Sequence, residues 1–399
     1  MKATLSHRIA LVPTQAQEAL LRQAVGVARF AYNWALEEWR RQCEAGEQPN
    51  EAALRRKLNG VKREQFPWML RVPKSVPQQA IKNCGAAFQR FFRKHGRYPR
   101  FKKKGRKDSA RLDNGPGTFK FEGKRICLPI VGWVKMREGL RFAGKPLSAT
   151  VSCVAGRWFV SVPVEVERPA PVRESQAATG VDLGVRTVAR LSSGEKLEGP
   201  KALQANLSRL RRLSRQHSRK VKGSSNRRKH ARKLGRLHAR IANLRRDWLH
   251  KTTSGLVKRS SVIGIEDLNV KGMMANQRLA RPISDIGFHE FRRQLLYKSA
   301  LYGSEIVLAD RWFPGSKTCS ACGRIAEELP LSVQEWTCAC GQFHNRDVNA
   351  ARNLLSYALT RASCARRNAC GEEGSGRSHA PVKPTSVKQE SVGECLSPV

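Results

Sequence analysis

Residues Gly180 to Gly184 read GVDLG and place a single acidic residue, Asp182, inside an otherwise apolar segment. They belong to the stretch ATGVDLGVRTVARLSSGEKLEG (Ala178 to Gly199), in which short apolar runs alternate with glycine-containing polar turns. This pattern predicts three short strands joined by hairpin turns. Because a carboxylate in an apolar strand is costly unless it is paired or bound to a metal, the stretch also marks a candidate site.

The elements that follow this stretch have a legible order. Between Lys201 and about Ser260 the sequence predicts long helices that break near Gly223. SVIGIEDL is then predicted as a buried strand, Phe288 to Tyr302 as a helix, SEIVLAD as another strand and DVNAARNLLSYAL as a final helix. The sum is β-β-β-α-β-α-β-α, which is the order of an RNase H-like α/β fold.

The N-terminal half predicts a different kind of structure. Residues from about 14 to 95 carry apolar positions at helical spacing, whereas short alternating runs from Thr118 to Val166 predict a small antiparallel β-domain. A strand-like opening, KATLSHRIAL, precedes the helices, so the helical block is either an insertion into the β-domain or a separate unit. Residues 167–176 predict a linker, and the segment beyond Arg361, which has no hydrophobic period, predicts disorder.

The chain is strongly basic, with 75 Lys and Arg against 32 Asp and Glu in 399 residues and a formal net charge of +43. This surplus argues against an ordinary metabolic enzyme. It favours nucleic acid as the partner, because neutralising a polyanion releases counterions. No apolar run of about 18 residues is present, and only a short apolar stretch precedes Pro13. We therefore expect a cytoplasmic, nucleoid-associated protein with neither a membrane span nor a signal peptide.

Two segments concentrate the positive charge. KHGRYPRFKKKGRK (Lys94 to Lys107) sets Tyr98 and Phe101 among basic residues, a composition suited to phosphate contacts with occasional base stacking. Residues 201–260 contain 20 Lys or Arg and one acidic residue, Asp247, so the alternative of a solvated face with paired charges does not fit them. The candidate nucleic-acid contacts are Arg100, Lys102, Lys103, Arg212, Arg219, Arg228, Arg232 and Arg236, together with Arg346 outside these two segments.

Three acidic residues stand out by their context. Asp182 lies in the first strand of the RNase H-like order, Glu266 ends the fourth strand, and Asp347 opens the final helix. Structural pairing explains any one of them equally well, but three at these positions favour a shared site. Clustered carboxylates can hold two Mg²⁺ about 3.5 to 4 Å apart, an arrangement that cleaves phosphodiesters. Asp182 is predicted to bridge the two ions, with Glu266 and Asp347 completing their ligand shells.

Three neighbouring residues are weaker candidates. Asp267 follows Glu266 directly, and successive side chains of a strand point to opposite faces. Asp310 lacks the apolar context on both sides. Arg346 precedes Asp347, and it either steadies the scissile phosphate or pairs with a carboxylate of the metal site.

Four of the cysteines form two close pairs. Cys319 and Cys322 are spaced C-x-x-C, Cys338 and Cys340 are spaced C-x-C, and a glycine follows each pair. Two thiolate pairs joined by a short loop predict a closed, tetrahedral structural Zn²⁺ site, because a hairpin this small needs a metal to fold. Free thiols are the alternative to zinc, and His344 is a possible substitute ligand for one cysteine.

These motifs together resemble the TnpB family, transposon-encoded RNA-guided nucleases related to the type V CRISPR effectors. The resemblance rests on GVDLG, GIEDLNV, DRWFPGSKTCSACG, WTCACG and HNRDVNAARN, and upstream on ARFAYNWAL and RYPRFKKK. The chain departs from many members in two places. It reads Pro314-Gly315-Ser316 where they read Pro-Ser-Ser, and its second cysteine pair is C-x-C where theirs is C-x-x-C.

The resemblance implies a multidomain α+β protein. A β-barrel wedge domain is interrupted by a helical recognition domain and followed by an RNase H-like (RuvC) nuclease domain with a zinc-ribbon insert that binds target nucleic acid. The implied boundaries are 1–13 and 108–167 for the wedge domain, 14–107 for the recognition domain, 168–176 for the linker, 177–310 and 342–360 for the RuvC domain, 311–341 for the zinc ribbon and 361–399 for a disordered tail.

The resemblance also implies an activity. A guide RNA from the transposon end pairs with double-stranded target DNA beside a short motif, and the RuvC site cuts the DNA. The catalytic acids of the family fall on Asp182, Glu266 and Asp347, and its zinc ligands on the four paired cysteines. Two other functions stay open: a guide-directed or general nucleic-acid-binding protein without cleavage, and a guide-free RuvC-type nuclease such as a resolvase or transposase.

Overall fold

The computed structural model describes residues 2–113, 118–171, 177–330 and 332–370, and these residues form two compact units. The first unit comprises the described residues of Met1–Glu174 with Glu198–Lys258 and Asn269–Gly303. The second comprises the described residues of Ser175–Leu197, Arg259–Leu268 and Ser304–Val399. Most of the predicted linker, residues 172–176, and most of the predicted disordered tail, residues 371–399, lie outside the described residues.

The first unit is built around an antiparallel sheet with the strand order β2-β7-β8-β1-β5-β4-β3, in which β6 also pairs with β8. The first strand holds the sheet together, because it pairs with β8 over most of its length and with β5 at its end. Among the described strands, β2 and β3 stand at the two ends of this order, so closure into a barrel stays a prediction. The strands are β1 (Lys2–Val12), β2 (Ser109–Asp113), β3 (Lys120–Glu122), β4 (Arg125–Leu128), β5 (Gly132–Met136), β6 (Lys145–Pro146), β7 (Ser148–Val154) and β8 (Arg157–Glu167).

Three helices lie between β1 and β2 in the sequence: α1 (Gln15–Glu44), α2 (Glu51–Gln65) and α3 (Ser75–Phe92), with a 3₁₀ turn at Pro67–Arg71. Thr14 and Gln17 start α1 through a reciprocal capping box. The predicted apolar stripes of α1 and α3 are buried in one core with the sheet. Because β1 pairs with strands that follow α3, this helical segment is an insertion within the sequence of the sheet.

The remaining helices of the first unit come from the middle of the chain. The predicted break in the basic stretch is confirmed: two long helices are separated at Gly223, which adopts a positive φ of 85°. Leu210 and Leu213 of the shorter helix belong to a small core with Leu237 and Ile241 of the longer one. The helices are α4 (Ala202–Ala205), α5 (Leu207–Ser218), α6 (Ser225–Arg259), α7 (Val270–Ala275), α8 (Ala280–Ile286) and α9 (Phe288–Tyr302).

The second unit contains a five-stranded sheet with the order β11-β10-β9-β12-β13. Its three strands β9, β12 and β13 are parallel, whereas β10 and β11 are antiparallel to their neighbours. All five strands occur where the sequence predicts them. The elements are β9 (Ala178–Asp182), β10 (Ala189–Leu191), β11 (Lys196–Leu197), β12 (Val262–Glu266), β13 (Glu305–Ala309), the hairpin strands β14 (Glu335–Thr337) and β15 (Phe343–Asn345), and the helix α10 (Arg346–Cys370).

Two glycines let α10 lie directly on the sheet. A Cβ atom at Gly180 of β9 would stand 1.8 Å from the carbonyl oxygen of Ala351. At Gly264 of β12 it would stand 2.3 Å from the carbonyl oxygen of Leu354. No larger residue fits at either position without moving the helix, so these glycines fix the distance between α10 and the sheet.

Helix α10 continues to Cys370, past Arg361 where the sequence predicts disorder. The segment RASCARRNAC offers no hydrophobic period, but it is rich in alanine and arginine, and it holds no glycine or proline before Gly371. Helix propensity accounts for the continuation of the helix through this segment. None of the helices that the structure describes is both long enough and apolar enough to cross a membrane.

Candidate active site and metal centre

The three predicted acids belong to neighbouring elements of the second unit. Asp182 is the last residue of β9 and Glu266 the last of β12. These strands are parallel and pair Val181 with Ile265, so both acids stand at the carboxyl ends of adjacent strands. Asp347 lies in the first turn of α10, the helix that packs on both strands.

The charges of Glu266 and Asp347 lie close enough to Asp182 to affect its pKa. Burial raises its pKa well above the usual range, and the negative charges of Glu266 and Asp347 raise it further. Burial also raises the pKa of Glu266. Within the described residues, no donor is hydrogen-bonded to any of these three carboxylates. The site therefore gathers negative charge that the described residues leave without a direct hydrogen-bonded partner.

This donor set fits a hard divalent cation. Carboxylate oxygens are the preferred ligands of such ions, and a cation among the three acids would relieve both the desolvation and the mutual repulsion that raise the pKa of Asp182. Asp182, Glu266 and Asp347 are the residues that would hold it.

Two arginines lie near enough to Asp182 to lower its pKa, Arg346 and Arg190. The guanidinium of Arg346 donates a hydrogen bond of 2.7 Å to the carbonyl oxygen of Pro330, so its direct partner is a loop carbonyl. Arg190 was not among the residues predicted from the sequence; it lies on β10 and is the strand-register partner of Asp182 on β9. Its Nε is buried without a hydrogen bond. The hairpin predicted after GVDLG places Arg190 on the strand next to Asp182, but it does not say which residues of the two strands lie opposite each other.

The two weaker acidic candidates have structural partners. Asp267 lies 3.7 Å from the guanidinium of Arg311. The carboxylate of Asp310 accepts a hydrogen bond of 2.9 Å from the backbone N–H of Trp312, so it shapes the turn after β13. These contacts give both acids a role outside the three-carboxylate cluster.

The four paired cysteines converge in a second cluster, in which the sulfur atoms all lie within 4.8 Å of one another. The Sγ atoms of Cys319 and Cys340 are 3.8 Å apart, and those of Cys322 and Cys338 are 3.7 Å apart. Four sulfurs at about 2.3 Å from a tetrahedral zinc would be separated by about 3.8 Å. The cluster is therefore consistent with a closed Zn²⁺ site.

His344, the possible substitute ligand, lies beside this cluster. Its Nε2 is 3.0 Å from the Sγ of Cys319, and its ring packs on Trp336. Burial raises the pKa of the Cys319 thiol, but hydrogen bonds from the backbone of Cys322 and Ala321 and from His344 outweigh burial and lower it to about 5. The four sulfurs complete the set without His344, which acts as a hydrogen-bond partner of one of them.

The predicted nucleic-acid contacts lie in the first unit, apart from Arg346. Most are exposed, and the exposed positions on α5 and α6 point away from the small core that joins these helices. Lys102 is exposed as well, but its Nζ lies 4.0 Å from the centre of the Tyr32 ring, and desolvation of this ammonium lowers its pKa. Tyr98 is also engaged, with its ring edge-on to Phe88 and Phe91. The exposed candidates are Arg100, Lys102, Lys103, Arg212, Arg219, Arg228, Arg232 and Arg236.

Comparison with known families gives three matches along the chain. Residues 161–277 match OrfB_IS605, described as "Probable transposase", and residues 288–354 match the TNB domain described as Cas12f1-like. Residues 1–48 match a domain described as helix-turn-helix. The described part of that last range holds β1 and one long helix, α1, so a strand stands where the name implies a helix.

Similar proteins match over most of the chain. A "Putative RNA-guided DNA endonuclease" of Streptomyces pristinaespiralis is 40% identical over 88% of this chain and 89% of its own length. A "Putative RNA-guided DNA endonuclease InsQ" of Escherichia coli (strain K12) is 36% identical over 91% of this chain and 94% of its own length. Among solved structures, the Cas12f1-sgRNA-target DNA complex matches 89% of this chain and 98% of that chain with a TM-score of 0.56 and 12% identity, which indicates a similar α+β fold.

The identity to full-length relatives is high enough to assign the chain. The sequence motifs, the domain matches and the two relatives agree with one another. The protein belongs to the TnpB/OrfB_IS605 family.

Proposed function

We propose that the protein is an RNA-guided DNA endonuclease that cuts its target at the three-carboxylate cluster. The observation that carries the proposal is the electrostatic effect of Glu266 and Asp347 on the buried Asp182, in a part of the chain where none of the three acids has a hydrogen-bonded partner among the described residues. The strand order of the second unit supports an RNase H-like (RuvC) assignment, and the names of the curated relatives support the RNA-guided activity.

The carboxylates would hold two Mg²⁺. Ions held there would lower the pKa of a bound water and offset the charge that develops on the phosphate. The protein's own residues place the ligands. Asp182 and Glu266 are fixed by the register of adjacent strands, and Asp347 by the packing of α10 on Gly180 and Gly264. The cations Arg190 and Arg346 limit the repulsion at Asp182 and thereby help to keep it ionised.

The other parts of the chain suit nucleic-acid binding. The α5 and α6 segment presents a basic surface with few acids, which fits recognition of a guide and target duplex through its phosphates. The cysteine cluster, closed by one Zn²⁺, would form the predicted zinc ribbon beside the active site. Guide RNA and double-stranded target DNA are the partners that this proposal requires.

The test begins with the RNA that accompanies the protein. The chain is expressed with its flanking genomic DNA and purified, and the bound RNA is sequenced. We expect one defined RNA that ends in a variable guide segment. The purified complex should then cut DNA that matches this segment in the presence of Mg²⁺.

Two variants separate cutting from binding. Asp182→Ala should abolish cleavage and leave the affinity for guide RNA and target within about twofold, because its carboxylate acts at the metal site. Asp247→Ala is the matched control, since this acid pairs with Lys251 on the exposed face of α6. Cleavage that persists without RNA would favour the guide-free nuclease. Target binding without cleavage by the wild type would favour the binding protein.

A further inference from the structure

The loop that follows β13 carries an unusually exposed aromatic side chain. Trp312 is 86% exposed, more than any other large hydrophobic side chain in the described part of the chain. Tryptophan is rarely left in water to this extent, because its ring has a large apolar surface that favours burial. An indole exposed in this way is available to contact a ligand.

The exposure of Trp312 does not come from a loosely held loop. The backbone N–H of Trp312 donates to the carboxylate of Asp310 at 2.9 Å, and the backbone N–H of Phe313 donates to the carbonyl of Asp310 at 3.0 Å. The ring of Phe313 packs on Tyr357 of α10 with centroids 5.0 Å apart. The residues on both sides of Trp312 are therefore fixed, Arg311 by its ion pair with Asp267.

This loop begins next to the three-carboxylate cluster. The last residue of β13, Ala309, is the register partner of Glu266 on β12. Asp267, the partner of Arg311, directly follows Glu266. Trp312 thus stands three residues beyond a strand position that is paired with one of the proposed catalytic acids, within the same compact unit.

We propose that Trp312 is a stacking platform for an unpaired base of the DNA strand that enters the carboxylate site. Aromatic rings stack on any base, which suits an enzyme whose sequence reading is left to a guide. The guanidinium of Arg311 beside it, about half exposed, adds attraction for the phosphate backbone. The inference rests on the proposed function, because the carboxylate site gives the strand a reason to be there.

The test measures single-stranded DNA binding in an Asp182→Ala background, in which the strand is not cut. Trp312→Ala should weaken the affinity for a short single-stranded oligonucleotide by about tenfold, and Trp312→Phe, which keeps a ring, should weaken it less. Trp133→Ala is the control, since this indole is also exposed but lies on β5 of the first unit. In the cutting-competent protein, Trp312→Ala should slow cleavage while the affinity for guide RNA stays unchanged.

A second readout does not depend on the alanine variant folding. The fluorescence difference between the wild type and Trp312→Phe isolates the indole of Trp312, and we expect the oligonucleotide to quench it. Unchanged fluorescence together with unchanged affinity would overturn the inference, and so would a loss confined to guide RNA. If the wild type fails to cut with its RNA, the proposed function fails, but quenching of Trp312 by single-stranded DNA would still report the contact.

Discussion

The carboxylate cluster and the cysteine cluster lie in the same unit, yet their side chains come together in opposite ways. The cysteine sulfurs come from a short segment and already stand at the separations expected around a tetrahedral zinc. The carboxylates come from two strands and a helix, and they repel one another. The first arrangement serves stability, whereas the second stores repulsion that a bound cation relieves.

The largest effect is expected at the cysteine cluster, where the predicted zinc and the local fold depend on each other. Cys338→Ser should remove the zinc and unfold the segment from Cys319 to His344, because structural zinc contributes about 10 to 16 kcal/mol to small domains of this kind. Zinc content per chain and hydrogen exchange of residues 318–345 measure the change. Cys127→Ser, in β4 of the first unit, is the control and should keep both. One zinc retained in Cys338→Ser would break the contrast between the two clusters.

The second prediction concerns the repulsion among the carboxylates. Glu266→Gln should lower Mg²⁺-dependent cleavage by at least about 10³-fold, because a metal ligand is lost from a set that acts as a unit. The same change should lower the pKa of Asp182 and raise the free energy of unfolding of the metal-free protein. The reason is that one of the negative charges that repel Asp182 is removed. Cleavage assays and urea unfolding in EDTA measure the two effects. Destabilisation of the metal-free variant would contradict the stored repulsion.

Acidity gives an independent check on this repulsion. The fold raises the pKa of Asp182 and of Glu266, so the folded protein binds more protons than the unfolded chain above about pH 4. The contribution of these two groups to stability is therefore greatest at low pH and falls as pH rises through their folded pKa values. In Glu266→Gln this part of the pH dependence should shrink.

The third prediction tests the packing that positions Asp347. Gly264→Ala places a Cβ atom 2.3 Å from the carbonyl of Leu354, so α10 must shift, at a cost of about 3 kcal/mol. Gly255→Ala in α6 is the matched control, because nothing lies within 4 Å of its Cβ position, and it should stabilise the protein by up to about 1 kcal/mol. Urea unfolding gives both values. Equal stabilities for the two variants would show that α10 is not held closely on the sheet.

The smallest effect is expected from replacing Arg190, and it tests how this charge influences the pKa of Asp182. Because its charge lowers the pKa of Asp182, Arg190→Met should raise that pKa and shift the acidic limb of the cleavage profile to higher pH. Activity should fall severalfold near pH 6.5 and less near pH 8.5. Arg186→Met, on the loop between β9 and β10, is the control. A profile that drops equally at all pH values would assign Arg190 to phosphate contact instead.

The sequence predicted the second unit well because its signals are local. Short apolar runs marked β9 to β13, and the sequence context marked Asp182, Glu266 and Asp347 as unusual acids. Cysteine spacing marked the four sulfurs that the structure brings together. Each of these features can be read within a window of about 20 residues.

What the sequence did not reveal depends on distant residues. Arg190 became visible only through its register with Asp182, and the need for glycine at 180 and 264 only through the approach of α10. The helices α7 and α8 carry little apolar periodicity. The extension of α10 to Cys370 follows from helix propensity, whereas the sequence of that segment has no hydrophobic period to mark a helix.

Among the described residues, the three carboxylates lack hydrogen-bond donors, and this has a consequence for how the family can evolve. Losing one of these acids also removes part of the electrostatic repulsion among them. Selection for folding stability therefore does not oppose the loss. Under the proposed function, only selection for DNA cleavage preserves the three acids. Copies released from that demand can keep their shape and their hold on nucleic acid, which makes this architecture a ready source of proteins that bind a chosen sequence and leave it whole.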